Sequence, residues 1–149
     1  MSRLKSIKYD VYLASGWFNP AQAQDLENIK LICKDIGLKY FSPKDELLVK
    51  PTDSESIRLK AFKMNLKAIR NSKFVIVNTR DKDMGTIVEC GYAYANKKPI
   101  AFYCEGLTGS FNLMLAQMGS CVSTNINELK QSCYRLSEDL NYKKKYLAE

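Results

Sequence analysis

A chain of 149 residues, 46% hydrophobic and 26% charged, has the size and balance of one globular domain that buries a core without disulfides or metals. No apolar run approaches the ~20 residues that span a bilayer, and the basic start runs straight into a strand-like segment, unlike a secretory signal, so a cytoplasmic protein outside the membrane is expected. The net charge of +7 is spread over helix surfaces, apart from Lys143-Lys144-Lys145, which argues for a solvated surface and against a nucleic-acid partner.

Residues Ile7 to Ala14 are rich in β-branched and aromatic side chains and end at Ser15-Gly16, which reads as a buried strand and a turn. Pro20 suits a first helical turn, and Leu26, Ile29, Ile32, Cys33 and Ile36 recur at helical intervals before the stop signal Gly37. A short strand is predicted from Leu38 to Ser42, followed by a polar loop from Pro43 to Ser54 whose length marks it as a candidate functional segment. A helical period resumes from Ser54 to Asn71, and Phe74 to Val77 is the uninterrupted apolar run of a central strand covered on both faces. Gly85 to Asn96 is predicted helical, Pro99 to Cys104 a strand, Phe111 to Met118 a short helix, Cys121 to Ser123 a weak strand, and Asn125 to Leu140 a final helix. Strands alternating with helices imply a single-domain, doubly wound α/β sheet of about five parallel strands, because parallel neighbours need crossovers that cover both faces. Ligands of such sheets sit beyond the carboxyl ends of the strands. That rule singles out the turns Ser15 to Pro20, Pro43 to Ser54, Thr79 to Gly85 and Glu105 to Asn112.

Histidine is absent, which leaves proton transfer near neutral pH to carboxylates, thiols, Tyr, Lys or solvent. Cys33, Cys90, Cys104, Cys121 and Cys133 include no close pair and read as buried, reduced thiols. With no P-loop, no G-x-G-x-x-G and no cluster of metal ligands, neither a cofactor nor a metal is expected.

From Met84 to Asn96 the one charged residue is Glu89. Its neighbours at i−4 and i+4 are Gly85 and Ala93, which leave a groove above the carboxylate, while Gly91 and Ala95 suit close approach of another surface. Burying a bare carboxylate costs several kcal/mol, so this one needs partners, and a place near a helix N-terminus is expected to keep it ionised. Local sequence leaves two roles open, a nucleophile or a glutamate that satisfies first-turn amides. Asp83 either caps the amides of Gly85 and Thr86 or meets a ligand hydroxyl. Trp17 and Phe18, at the mouth of the first strand, suit stacking on a flat heteroaromatic ring, or else form a lid or a subunit contact. Tyr12 either packs in the core or donates a hydrogen bond that orients a carboxylate.

Three blocks carry a more specific signal. Tyr12-Leu13-Ala14-Ser15-Gly16-Trp17-Phe18, Asp83-Met84-Gly85-Thr86-x-x-Glu89-x-Gly91-Tyr92-Ala93 and Asn112-Leu113-Met114 resemble the signature blocks of the nucleoside 2-deoxyribosyltransferase family, in the family's order and from about Ile7 to Met118. The resemblance implies a flavodoxin-like sheet and transfer of a 2-deoxyribosyl group between nucleobases by double displacement, with nucleosides and free bases as partners. It implies that Glu89 is the nucleophile, that Tyr12 holds it in place and that Asp83 contacts sugar hydroxyls; Gly85, Trp17 and Phe18 are expected to bind substrate beside them. Asn112 matches a residue that reaches a sugar hydroxyl in the adjoining subunit's site, which implies a homo-oligomer with a shared active site.

The chain departs from the family twice. The aspartate that protonates the departing base falls by spacing on Asn65, whose amide delivers no proton, and Asp45 in the polar loop is a candidate substitute acid. The chain ends Lys143-Lys144-Lys145-Tyr146-Leu147-Ala148-Glu149 in place of the family's aromatic tail, so that tail's role is not carried over. An N-glycosidase, in which water resolves the intermediate, and a non-catalytic nucleotide-sensing module are the alternatives. The Gly-Trp-Phe-Asn-Pro turn lacks a serine and arginine-rich phosphate site and favours a nucleoside over a nucleotide.

Overall fold

Successive side chains of a strand face opposite ways, and the first strand, β1 (Tyr9–Ala14), divides its residues between two cores. Val11 and Leu13 join one buried cluster, Tyr12 and Ala14 the other. The computed structural model describes residues 7–149. Its further strands are β2 (Tyr40–Phe41), β3 (Ser72–Asn78), β4 (Ile100–Tyr103) and β5 (Cys121–Ser123). All pair in parallel, in the order β2-β1-β3-β4-β5, which is the flavodoxin-like arrangement. The central pair is in register from Val11 opposite Phe74 to Ala14 opposite Val77.

Helices α1 (Pro20–Asp35) and α6 (Ile126–Glu138) cover one face, where Leu26, Ile29 and Cys33 meet Leu129, Cys133 and Leu136. The other face carries α3 (Glu55–Arg70), α4 (Met84–Ala95) and α5 (Leu113–Met118), with Ala68, Ile69, Cys90 and Ala93 in the core. Each helix start has a local reason. Asn19, Ser54, Asp83, Asn112 and Asn125 each accept a backbone N–H three residues on, as N-caps do, and Pro20 occupies the first turn of α1. Gly37 follows the end of α1 with φ +74°, the left-handed stop that glycine takes without strain. The equivalent position after α4 is Lys97, at φ 59°.

The structure corrects the sequence reading at three points. The polar stretch after β2 is not wholly loop, since Pro43–Glu46 forms a short helix, α2. The turn before α4 holds a 3-10 turn at Arg80–Lys82 that no glycine announced, and Asp81 and Lys82 there have φ 60° and 52°. The close approach expected at Gly91 and Ala95 is absent within the chain: a Cβ on Gly91 meets no atom within 4 Å, and Ala95 is exposed. All five cysteines are buried and free.

Candidate active site

Strand order reverses direction between β1 and β3, so their carboxyl ends open the crevice where such sheets bind ligands. Two connections frame it. One is the turn from Ser15 to Asn19; the other runs from Thr79 to Asp83 and launches α4.

Tyr12 is fully buried and stacked on Phe41, with ring centroids 5.5 Å apart and planes 11° from parallel. This packing fixes the ring, and its hydroxyl donates a hydrogen bond to the Glu89 carboxylate. Tyr12 and Glu89 are 77 residues apart in sequence, brought together because β1 lies beside β3 and α4 packs back over both. Glu89 itself is half-buried. Its side chain therefore keeps a path to solvent and to a ligand, while burial pushes its carboxyl up from the ordinary 4.5 to about 8. The expectation that a helix N-terminus holds it ionised is overturned: Glu89 is the sixth residue of α4, and the dipole's influence fades beyond the first turn. No salt bridge reaches it among the described residues.

Asp83 is the N-cap of α4. One carboxylate oxygen accepts from the Thr86 amide at 2.9 Å and from the Thr86 hydroxyl at 2.8 Å, whereas the Gly85 amide is not its partner. A Cβ on Gly85 would lie 3.5 Å from the same oxygen, an ordinary contact, so the glycine keeps this rim low rather than relieving a clash. Trp17 and Phe18 lie 5.0 Å apart at a tilt of 33°; Trp17 leans on the α1 face of the core, and Phe18 is 71% exposed.

The remaining candidates stand farther from the Tyr12–Glu89 pair in role. Asn65 is half-buried on α3, on the inward stripe shared with Ala61 and Ala68. Asp45 lies on α2 with its carboxylate 2.9 Å from Lys30 Nζ. Asn112 caps α5 through its side-chain oxygen, which accepts from the Leu115 amide at 3.1 Å, and is exposed. The last residues of the chain run beside it: the Phe111 and Leu113 amides donate to the Leu147 and Glu149 carbonyls, both at 2.8 Å.

One polar cluster escaped the sequence reading. Asp25, 4% exposed on α1, accepts from both Arg80 Nε and, at 3.1 Å, Arg80 Nη2. Asn78, at the end of β3, donates to Asp25 and to Ser15 Oγ, both at 3.1 Å. Asn19 donates to Asp81 at 2.8 Å. The start of α1 thereby clamps the loop that launches α4, holding Asp81 and Lys82 in left-handed conformations that cost a non-glycine residue roughly 1 kcal/mol each. The signal was present in the sequence: Gln22 and Asp25 fall on the buried stripe of α1, where polar side chains need partners.

Comparison with known proteins adds three findings. The structure resembles a 2-deoxyribosyltransferase from Bacillus psychrosaccharolyticus with a TM-score of 0.78 at 25% identity, covering 92% of this chain and 98% of that one. It shares its fold with a conserved protein from Enterococcus faecalis V583 (TM-score 0.67, 15% identity, 84% and 96% covered) and with a CMP N-glycosidase from Clostridium botulinum (0.55, 18%, 82% and 96%). No curated protein sequence matches the chain. The sequence profile of the nucleoside 2-deoxyribosyltransferase family matches residues 11–126, a span that takes in Tyr12, Asp83, Glu89 and Asn112, and the chain is an enzyme of that family.

Proposed function

We propose that the chain moves a 2-deoxyribosyl group from one nucleobase to another through a covalent intermediate on Glu89. The observation that carries this is the Tyr12 hydroxyl donating to the Glu89 carboxylate at the carboxyl edge of the sheet. In the first step the ionised carboxylate attacks the anomeric carbon and the C–N bond breaks; the base leaves with the electron pair and takes up a proton. In the second, a nitrogen of another base attacks the same carbon and gives up its proton to solvent, and the glycosyl ester bond returns its electrons to Glu89. Two inversions give net retention, and each carries an oxocarbenium-like transition state that a nearby carboxylate stabilises. Tyr12 holds Glu89 in line and favours its ionised form against the desolvation that raises its titration.

Asp83 uses one oxygen as a cap and offers the other to a sugar hydroxyl. Trp17 and Phe18 supply ring faces to the base, Gly85 keeps the rim open, and Asn65 meets the base with an amide. A nucleoside suits the site better than a nucleotide, because of the two cations on the crevice's framing loop, Arg80 and Lys82, the arginine that could grip a phosphate is committed to Asp25. A homo-oligomer with shared sites fits the apolar side chains left exposed beside the crevice, Met84 and Val88 on α4 and Leu113 and Met114 on α5, the last two adjoining Asn112. Five free thiols suit a reducing cytoplasm.

The test is to trap the enzyme with a 2-deoxy-2-fluoro nucleoside and measure intact mass. A sugar adduct that maps to Glu89, together with loss of base exchange in Glu89→Ala, is the expected result. An adduct elsewhere or full activity in the variant would overturn the assignment; release of free sugar without a second base would make the enzyme a hydrolase.

A further inference from the structure

The amino edge of the sheet, opposite the Glu89 crevice, gathers lysines from two distant segments. Lys97 and Lys98 lie on the turn from α4 into β4; Lys143, Lys144 and Lys145 follow α6. The Lys144 amide donates to the Ser120 carbonyl at 2.8 Å, which pins the basic run to the entry of β5. Two adjoining depressions result, of about 320 and 530 Å3, sharing Gln117, Gly119, Ser120 and Lys143. Lys144 and Lys145 line the first, Lys97 and Lys98 the second, and no acidic residue lines either. Their common floor is tightly packed, since a Cβ on Gly119 would meet the Phe102 ring at 2.6 Å.

This concentration of charge is unbalanced. Among the described residues none of the five lysines has a carboxylate partner. Asp139, four residues before the basic run, takes up the Asn141 amide at 2.9 Å. Lys98 is half-buried, and burial lowers its pKa, the direction expected of an ammonium that has lost water without gaining a counter-charge. Lys97 holds a left-handed conformation, where glycine is the unstrained choice. Ordinary surfaces intersperse the two signs; five like charges around one cleft repel one another unless an anion joins them.

We propose that this cleft binds an oligophosphate chain, carried either by a nucleoside 5′-triphosphate or by inorganic tripolyphosphate. Lysine ammoniums pair with phosphate oxygens as point charges, while Gln117 and Ser120 add neutral donors. Both depressions lie within the ~300–1,000 Å3 typical of small-molecule pockets, and the lysines line concavities of that size, which favours a compact anion over a nucleic-acid strand. Tyr94 beside one depression and Tyr146 beside the other provide ring faces for a base if the phosphates come from a nucleotide. The site is independent of the chemistry at Glu89.

Isothermal titration of the full chain with sodium tripolyphosphate, dATP and inorganic phosphate tests it, in native protein and in the Lys98→Gln/Lys143→Gln double variant. The expected result is saturable binding of tripolyphosphate or dATP that tightens at low salt and weakens at least about tenfold in the double variant, the scale of one charge-assisted hydrogen bond. Circular dichroism and base exchange stay unchanged in that variant. Tighter binding of dATP than of tripolyphosphate, with the difference erased by Tyr94→Ala, assigns the nucleotide as the source; equal or weaker binding of dATP assigns the inorganic chain. Absence of saturable binding, or binding indifferent to the double substitution, overturns the proposal. So does tighter binding of a single-stranded oligonucleotide with affinity growing with its length, which would make the face a nucleic-acid surface.

Discussion

Replacing Glu89 by Gln removes the charge of the site and keeps an acceptor for the Tyr12 hydroxyl. Burial moves the carboxyl from 4.5 to about 8, so between those values the folded state holds a proton that the unfolded state has released. Stability then falls as pH rises through that window, and is level above it. A separation of about 3.5 pH units at ~1.4 kcal/mol each corresponds to ~5 kcal/mol; partial exposure of the side chain screens part of this, which leaves roughly 2–5 kcal/mol. Glutamine stays neutral throughout. Native protein and Glu89→Gln should therefore unfold at similar urea concentrations at pH 5, and at pH 8.5 the variant should be more stable by that amount, or roughly 5–15 °C in Tm for a domain of this size. Urea titrations followed by circular dichroism at both pH values make the comparison. A difference that does not change with pH, or a native protein that gains on the variant as pH rises, would refute the account of Glu89 as a desolvated acid.

The same titration sets the rate law: if the ionised form is the nucleophile, kcat/KM should climb about tenfold per pH unit from pH 6 and level near 8, and a flat profile over that range would disconnect Glu89 from the rate. Arg80→Gln should cost ~3–5 kcal/mol because it strands the buried Asp25 carboxylate, and adding Asp25→Asn should recover most of that; purely additive losses in chemical denaturation would show that the pair does not act as a unit. Asn65→Asp should speed the poorest leaving bases most, by up to the 10²–10⁴-fold worth of a general acid, measured as base exchange across a series of bases. Asp45→Asn should leave turnover unchanged, because that carboxylate is held by Lys30; equal slowing of all bases by Asn65→Asp would instead make the amide a specificity contact.

Much of this molecule is written in local pattern. The apolar run Phe74 to Val77 and the stripe Leu26, Ile29, Cys33 are buried as their periods predict, because sheet and helix cores follow side-chain direction directly. Tyr12 and Glu89 are different in kind: their hydrogen bond spans two crossovers, and only the motif resemblance linked them beforehand. Asp25 was legible in principle, as a charged residue on a buried stripe, yet its partner Arg80 lies 55 residues away. The left-handed Asp81 and Lys82 carry no glycine to announce them, since tertiary clamps rather than local propensity hold them there. Gly91 misled for the opposite reason, being small without any neighbour inside the chain to accommodate. The lysine cleft was invisible because its two halves meet only across the edge formed by β4 and β5.

The alternation along β1 makes the chemistry a matter of parity. Tyr12 shares its side of the sheet with Ala14 and reaches α4, while Val11 and Leu13 turn toward α1. Adding or deleting a single residue within the strand would leave a hydrophobic segment that still pairs with β3, yet it would swing the phenol to the far layer and put an aliphatic chain beneath the carboxylate. Changes of strand length in this position are thus constrained to even steps by Tyr12, a stricter rule than the core alone imposes.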